Sequence, residues 1–274
     1  MEGVTKLILL TKKYFRPEFF ISVLILMRIS PNAPHLFTRF IMKRILSFCA
    51  VLACISSPAL AEDSAFTGNV AFTTDYVFRG ISQSNEEPTI QGGMDWNDAE
   101  TGLYAGVWGS GVDFNDATTE IDGYFGMKGT MMDDISWNVG ALYYYYPGAD
   151  DSLNYDFWEL AASVGYDFGF MQTTASLNYS PDYFGSSGDA WYPALNATIP
   201  LSHGFTANAG VAYQWVDDNV AFAVEDYTTW SLGLGYDYEG FNFGLKYHDT
   251  DLSEPAECAD GCSARFVFTV SRSF

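Results

Sequence analysis

Basic residues are scarce after residue 61: five Lys and Arg stand against 32 Asp and Glu. Phosphate binding needs basic side chains, so nucleic acid is excluded as a partner. Beyond the N-terminal region no apolar run reaches the roughly 20 residues of a spanning helix, so a membrane could be crossed only by strands. Histidine is nearly absent there too, with only His203 and His248. A hydrolase would need a His held by a carboxylate beside a Ser nucleophile or second acid, and the lone His248–Asp249 neighbours are weak support for one. No nucleotide-binding glycine motif and no haem-attachment pair occurs, so no cofactor and no enzymatic activity are expected. Cys258 and Cys262 are the only cysteines beyond residue 61, in "CADGC". Two thiols without a second pair or a nearby His argue against zinc, and an even count in an oxidising compartment argues for a disulfide. The adjoining "DTDLSEPAECAD" imitates a calcium loop through Asp249, Asp251 and Ser253. It places Glu254 where Gly is required and Asp260 where a bidentate Glu is required, so no metal is expected.

The stretch "MKRILSFCAVLACISSPALA", residues 42–61, carries Lys43 and Arg44, an apolar run from Ile45 to Ile55, and small residues at Ala59 and Ala61. That is the three-part layout of a secretory signal peptide, with cleavage expected after Ala61. Residues 1–41 precede this complete signal and are expected to be a non-native extension, with Met42 as the start. The mature domain is then 62–274.

Period-2 patterning bounded by turn residues gives about twelve strands. They fall near 68–79, 89–97, 102–109, 118–130, 135–146, 156–167, 170–179, 190–200, 205–215, 226–238, 241–248 and 263–274. Most have 8 to 13 residues, bracketing the 9–11 or so that a tilted strand needs to cross a bilayer. Soluble strands are nearer five or six. Tight turns ("DAE", "MMDD", "FG", "SHG", "EG") alternate with longer acidic or Gly/Ser/Pro-rich connections, among them "ISQSNEEP", "SGVDFNDA" and "DTDLSEPAECADGC". Short turns at one end and long loops at the other are the pattern of an antiparallel transmembrane barrel. Strand faces agree. Trp158, Leu160, Val164 and Tyr166 share one face, and Glu159, Ser163 and Gly165 share the other. In "TTDYVFRGISQS", residues 73–84, the same alternation turns Asp75 and Arg79 to the lumen and assigns Phe72, Tyr76 and Phe78 to the lipid. The final alternating strand ends on Phe274, the form of an outer-membrane assembly signal.

The block "NVAFTTDYVFRGISQSNEEPTIQGGMDW", together with "GLYAGVWGSGVDF", "YYYYPG", "LNYSPDYFG" and the segment "KYHDTDLSEPAECADGCSARFVFTVSRSF", resembles the TorF-type porin family over residues 66–274. The resemblance implies a Gram-negative outer-membrane β-barrel with a channel role. The expected surroundings are outer-membrane lipid, lipopolysaccharide and the barrel-assembly machinery, with the oligomeric state left open.

Pore-lining candidates are the ionisable residues of lumen parity: Asp75, Arg79, Asp95, Glu120, Asp122, Lys128, Glu159, Lys246 and Arg265, with His248 beside them. Asp75 and Arg79 stand about 13 Å apart along an extended strand, too far to pair with each other, so each is expected to pair across to a neighbouring strand or line the path. Most other lumen positions are Asn, Gln, Ser, Thr, Gly or Tyr, a lining suited to water and small polar solutes. The expected function is passive diffusion of small hydrophilic solutes or ions with a mild preference for cations. The alternative is a closed structural or surface-interaction barrel, because side chains or inward-folded loops can fill a lumen of twelve strands.

Overall fold

The computed structural model describes residues 65–132 and 134–274. The expected extension 1–41 and signal 42–61 lie outside the described residues. Twelve antiparallel strands close a barrel: β1 (Phe66–Thr73), β4 (Thr89–Asn97), β5 (Leu103–Phe114), β6 (Ala117–Met131), β7 (Ile135–Tyr145), β8 (Phe157–Asp167), β9 (Gln172–Ser180), β10 (Ala190–Pro200), β11 (Phe205–Val216), β12 (Tyr227–Tyr238), β13 (Phe241–Thr250) and β14 (Arg265–Ser273). Two further strands, β2 (Val77–Phe78) and β3 (Ile81–Ser82), form a separate small hairpin. No helix among the described residues is long and apolar enough to cross a membrane.

The barrel is inside-out relative to a soluble sandwich. Phe266 is 70% exposed and Phe125 65% exposed on the outer face, whereas Glu159 on the inner face is 1% exposed. Every wall strand places at least one large apolar side chain on the outside, and the charges lie inside, the pattern of a transmembrane barrel. Closure joins β1 to β14 in the register Asn69 opposite Ser273 to Thr73 opposite Thr269. Phe274 extends this seam: its N–H donates to the Gly68 carbonyl (2.9 Å) and its carbonyl accepts from the Gly68 N–H (2.7 Å). Its ring covers Gly68, where a Cβ would collide with it.

Two connections depart from the sequence reading. The strand expected over 68–79 ends at Thr73, and the chain turns into the barrel. Asp75 drives this turn. Its carboxylate accepts from the hydroxyls of Ser82 (2.7 Å) and Ser84 (3.0 Å), while Thr73 Oγ1 donates to the Asp75 carbonyl (2.8 Å). The chain reverses at Arg79 and Gly80, with φ of 48° and 90°. Gly80 is required twice over, because a Cβ there would also collide with Thr229 of β12. Tyr76 and Phe78 therefore face the lumen, not the lipid: Tyr76 meets Trp108 edge-on at 5.4 Å and Phe78 meets Tyr144 at 5.8 Å.

The second departure is the supposed loop at 110–117. There β5 and β6 run on past a register shift between Gly111 and Phe114 and leave only Asn115 and Asp116 between them. One end of the barrel thus carries tight turns throughout. The other carries five longer connections and one projecting hairpin.

Candidate functional site

The hairpin β2–β3 places Arg79 in the middle of the lumen. Its Nη2 donates to both carboxylate oxygens of Glu159 on β8 at 2.7 Å, and its Nη1 donates to Gln214 Oε1 on β11 at 2.9 Å. The guanidinium carbon also lies 4.2 Å from the centre of the Tyr192 ring and 4.8 Å from that of Phe78. Burial alone would lower the Arg79 pKa; the adjacent Glu159 carboxylate more than offsets that and holds it above its ordinary value. Glu159 accepts additionally from Tyr144 (3.2 Å) and Asn178 (2.9 Å). A buried carboxylate this fully satisfied works as a clamp on the hairpin, across the barrel rather than to a neighbouring strand.

The base of the hairpin is held by the other lumen arginine. Arg265 Nη1 lies 3.1 Å from Asp75 and 3.2 Å from Glu86. Pairing to a neighbouring strand, expected of both Asp75 and Arg79, describes Asp75, whose partner Arg265 is on the adjacent β14; Arg79 instead reaches Glu159 on β8 across the barrel, because its segment has left the wall.

The remaining candidates fall into two groups. Asp95 of β4 accepts from the Tyr124 hydroxyl (2.6 Å), and Glu120 of β6 from the Tyr76 hydroxyl (2.9 Å). Burial first, and the Glu120 charge second, push the Tyr76 phenol well above its ordinary value, so it remains a donor. Asp122, two residues along β6, has a buried Oδ1 with no hydrogen-bond partner among the described residues. Lys128 sits at the tight-turn end, where it donates to Asn97 Oδ1 (2.7 Å). Lys246 and His248 of β13 line the lumen opposite. Asp249 accepts from Tyr247 and from the Thr250 N–H and does not support His248.

Three cavities occupy the lumen, of about 440, 450 and 220 Å³, and Lys246 lines all three. The first lies in the tight-turn half and is walled by Asn196, Thr198, Asn208, Ser231, Asn242 and Thr269, the polar lining expected. The loop half is different. Tyr144, Tyr146, Tyr155, Phe157 and Tyr183 are buried together there with Phe114 and Phe184 packed against them. This aromatic cluster corrects the expectation of a largely polar lining for the loop half. Tyr144 and Phe157 already had lumen parity, but Tyr155, Tyr183 and Phe184 come from loops, to which strand alternation does not apply. The inward turn did leave a signal, since Gly80 interrupting an otherwise strand-like run marks a break.

Cys258 and Cys262 form the disulfide, with Cα atoms 6.6 Å apart. Glu254 lies beside it, but its carboxylate is committed to the N–H groups of Cys262 and Ser263 and to the Ser263 hydroxyl. Asp251 is likewise committed to the Thr228 N–H, so the calcium-like spacing does not gather its acids.

Two solved structures share this architecture. A KdgM porin in complex with disordered oligogalacturonate is 6% identical, with a TM-score of 0.51, covering 76% of this chain and 99% of that one. A NanC porin is 10% identical, with a TM-score of 0.52, covering 77% and 99%. At such identities the likeness establishes the barrel fold. No curated protein matches the chain in sequence. The family model described as "Bacterial protein of unknown function (Gcw_chp)" matches residues 59–274, and the chain belongs to that family.

Proposed function

We propose that this protein is a porin-like channel of the Gram-negative outer membrane, passing small hydrophilic solutes or ions. The observation that carries the reading is the set of three lumen cavities, two of them lined by residues of the inward hairpin and all three by Lys246. This space beside the hairpin supports a path past it. The apolar outer face, the two porin-like folds and the motif blocks shared with TorF-type porins support the same reading. Outer-membrane lipid and lipopolysaccharide then surround that face, the barrel-assembly machinery receives the Phe274 end, and the longer loops face outward. No catalytic role or cofactor is part of the proposal.

The ion pairs shape selectivity. Arg79 with Glu159, and Arg265 with Asp75 and Glu86, cancel in place. The lumen then holds no clear excess of either sign, and the excess of acid lies in the outward loops. A mild preference for cations follows. The closed-barrel alternative has its own support in the hairpin that crosses the lumen and the aromatic cluster above it. Single-channel recording in a planar bilayer separates the two. Stepwise openings with cation-biased reversal potentials are expected; a folded, heat-modifiable barrel that stays electrically silent would overturn the channel reading.

A further inference from the structure

We propose that the lumen cavity between the inward hairpin and the β5–β7 wall is a binding site for a small organic cation, whose ammonium head rests against Asp122 among aromatic rings. The lumen carboxylates are the starting point. Asp75 is held by Arg265 and two serines, Asp95 by Tyr124, Glu120 by Tyr76, and Glu159 by Arg79, Tyr144 and Asn178. Asp122 is the exception. It is 7% exposed, its Oδ1 is buried without a partner among the described residues, and it lines the 450 Å³ cavity. A buried carboxylate without a partner is costly to ionise, and a cation entering the cavity offsets that cost and favours its ionised form.

The remaining wall selects the kind of cation. Tyr76, Phe78, Trp108, Tyr124 and Tyr144 line the same cavity as Asp122. Three of them are fixed through their hydroxyls, Tyr76 to Glu120, Tyr124 to Asp95 and Tyr144 to Glu159, and Trp108 packs edge-on against Tyr76. Rings held in place beside a carboxylate form an electron-rich wall. That environment favours alkylated ammonium groups, which shed water easily, over compact inorganic cations. Lys246 and His248 line the far side of the cavity from β13 and keep the cation against the β5–β7 wall. The site rests on the channel reading only for the solute's route to it.

The test titrates the refolded, disulfide-intact barrel in detergent with tetramethylammonium chloride, followed by calorimetry and by Trp fluorescence. Potassium chloride at equal ionic strength is the comparator. Saturable tetramethylammonium binding is expected, with potassium giving none. Asp122→Asn should weaken it about tenfold or more, and Trp108→Leu should weaken it while the barrel stays heat-modifiable. No saturable binding, equal binding of potassium, or undiminished affinity in Asp122→Asn would overturn the proposal. Bilayer recordings on the same preparation separate the two readings. A silent barrel that binds tetramethylammonium loses the channel and keeps the site, and a conducting barrel that does not bind loses the site alone.

Discussion

Arg79 shows how one residue can set the state of a whole lumen. Its charge has left bulk water, so its two bonds to Glu159 and one to Gln214 must be present together for the hairpin to stay inside. Removing one partner leaves the other charged and alone. Arg79→Met should therefore cost about 3–5 kcal/mol in urea unfolding of the detergent-solubilised barrel, and the pair Arg79→Met with Glu159→Gln should recover part of it. Equal stability of the single variant and the unmodified barrel would show that the pair does not hold the hairpin. Strand parity turned Asp75 and Arg79 inward, but for the wrong reason: the whole segment after Thr73 enters the lumen, Tyr76 and Phe78 of the opposite parity included. That Arg79 would reach Glu159, 80 positions away, was not legible. Local sequence carries no signal for a contact made across a closed barrel, and the rings of Tyr183 and Tyr192 beside it were equally invisible.

At the scale of elements, β4 and β10 were legible to their ends, and β8, β12 and β13 to within two residues, because apolar residues alternate with small or polar ones along them. The pattern misled where alternation outlived the wall. Residues 74–79 keep the period of a strand but belong to the inward segment, and 111–114 looked like loop while still pairing in β5. The hairpin is also anchored from outside: the Ser82 N–H donates to the Gly261 carbonyl, 2.8 Å away in the 251–264 connection. Within that connection, the Ser263 hydroxyl foremost holds the Glu254 carboxyl below its usual range; slight burial opposes this, and the Cys262 and Ser263 N–H groups and the Arg265 charge add to the lowering. A carboxylate with a depressed folded-state pKa stabilises above its unfolded value, about 4.3, and loses that contribution as pH falls through the folded value. The 251–264 connection should be fully held at neutral pH and loosen only below about pH 4. Hydrogen exchange of the Cys262 and Ser263 amides should rise there relative to the barrel strands. Glu254→Gln should remove most of that dependence, and an unchanged profile in the variant would place the acid sensitivity elsewhere.

For the whole molecule, charge is sorted by position more sharply than composition suggests. Of the five bases after residue 61, Lys128, Lys246, Arg265 and Arg272 lie in barrel strands, and Arg79, the one base of the long connections, is turned into the lumen and paired with Glu159, so the outward parts of those connections carry acid alone. A mouth of one sign concentrates cations and repels anions over a Debye length, about 10 Å at 0.1 M salt and about 3 Å at 1 M. Cation preference should therefore be measurable at low salt and nearly vanish at high salt. Choosing which charges to remove depends on the structure. Glu86 is bound to Arg265, and Asp218 accepts from the Val220 and Ala221 N–H groups at the start of the short helix α1 (Asn219–Phe222), so their loss would mix charge with folding. Glu87, Asp151, Asp182 and Asp217 are exposed and better suited. Neutralising these four as Gln or Asn should lower the low-salt cation preference more than Asp95→Asn does, because Asp95 is one charge already engaged by Tyr124. Reversal potentials in a salt gradient measure both. Anion preference in the unmodified barrel, or a cation preference that survives 1 M salt, would mean that fixed lumen groups rather than the loop charges govern permeation.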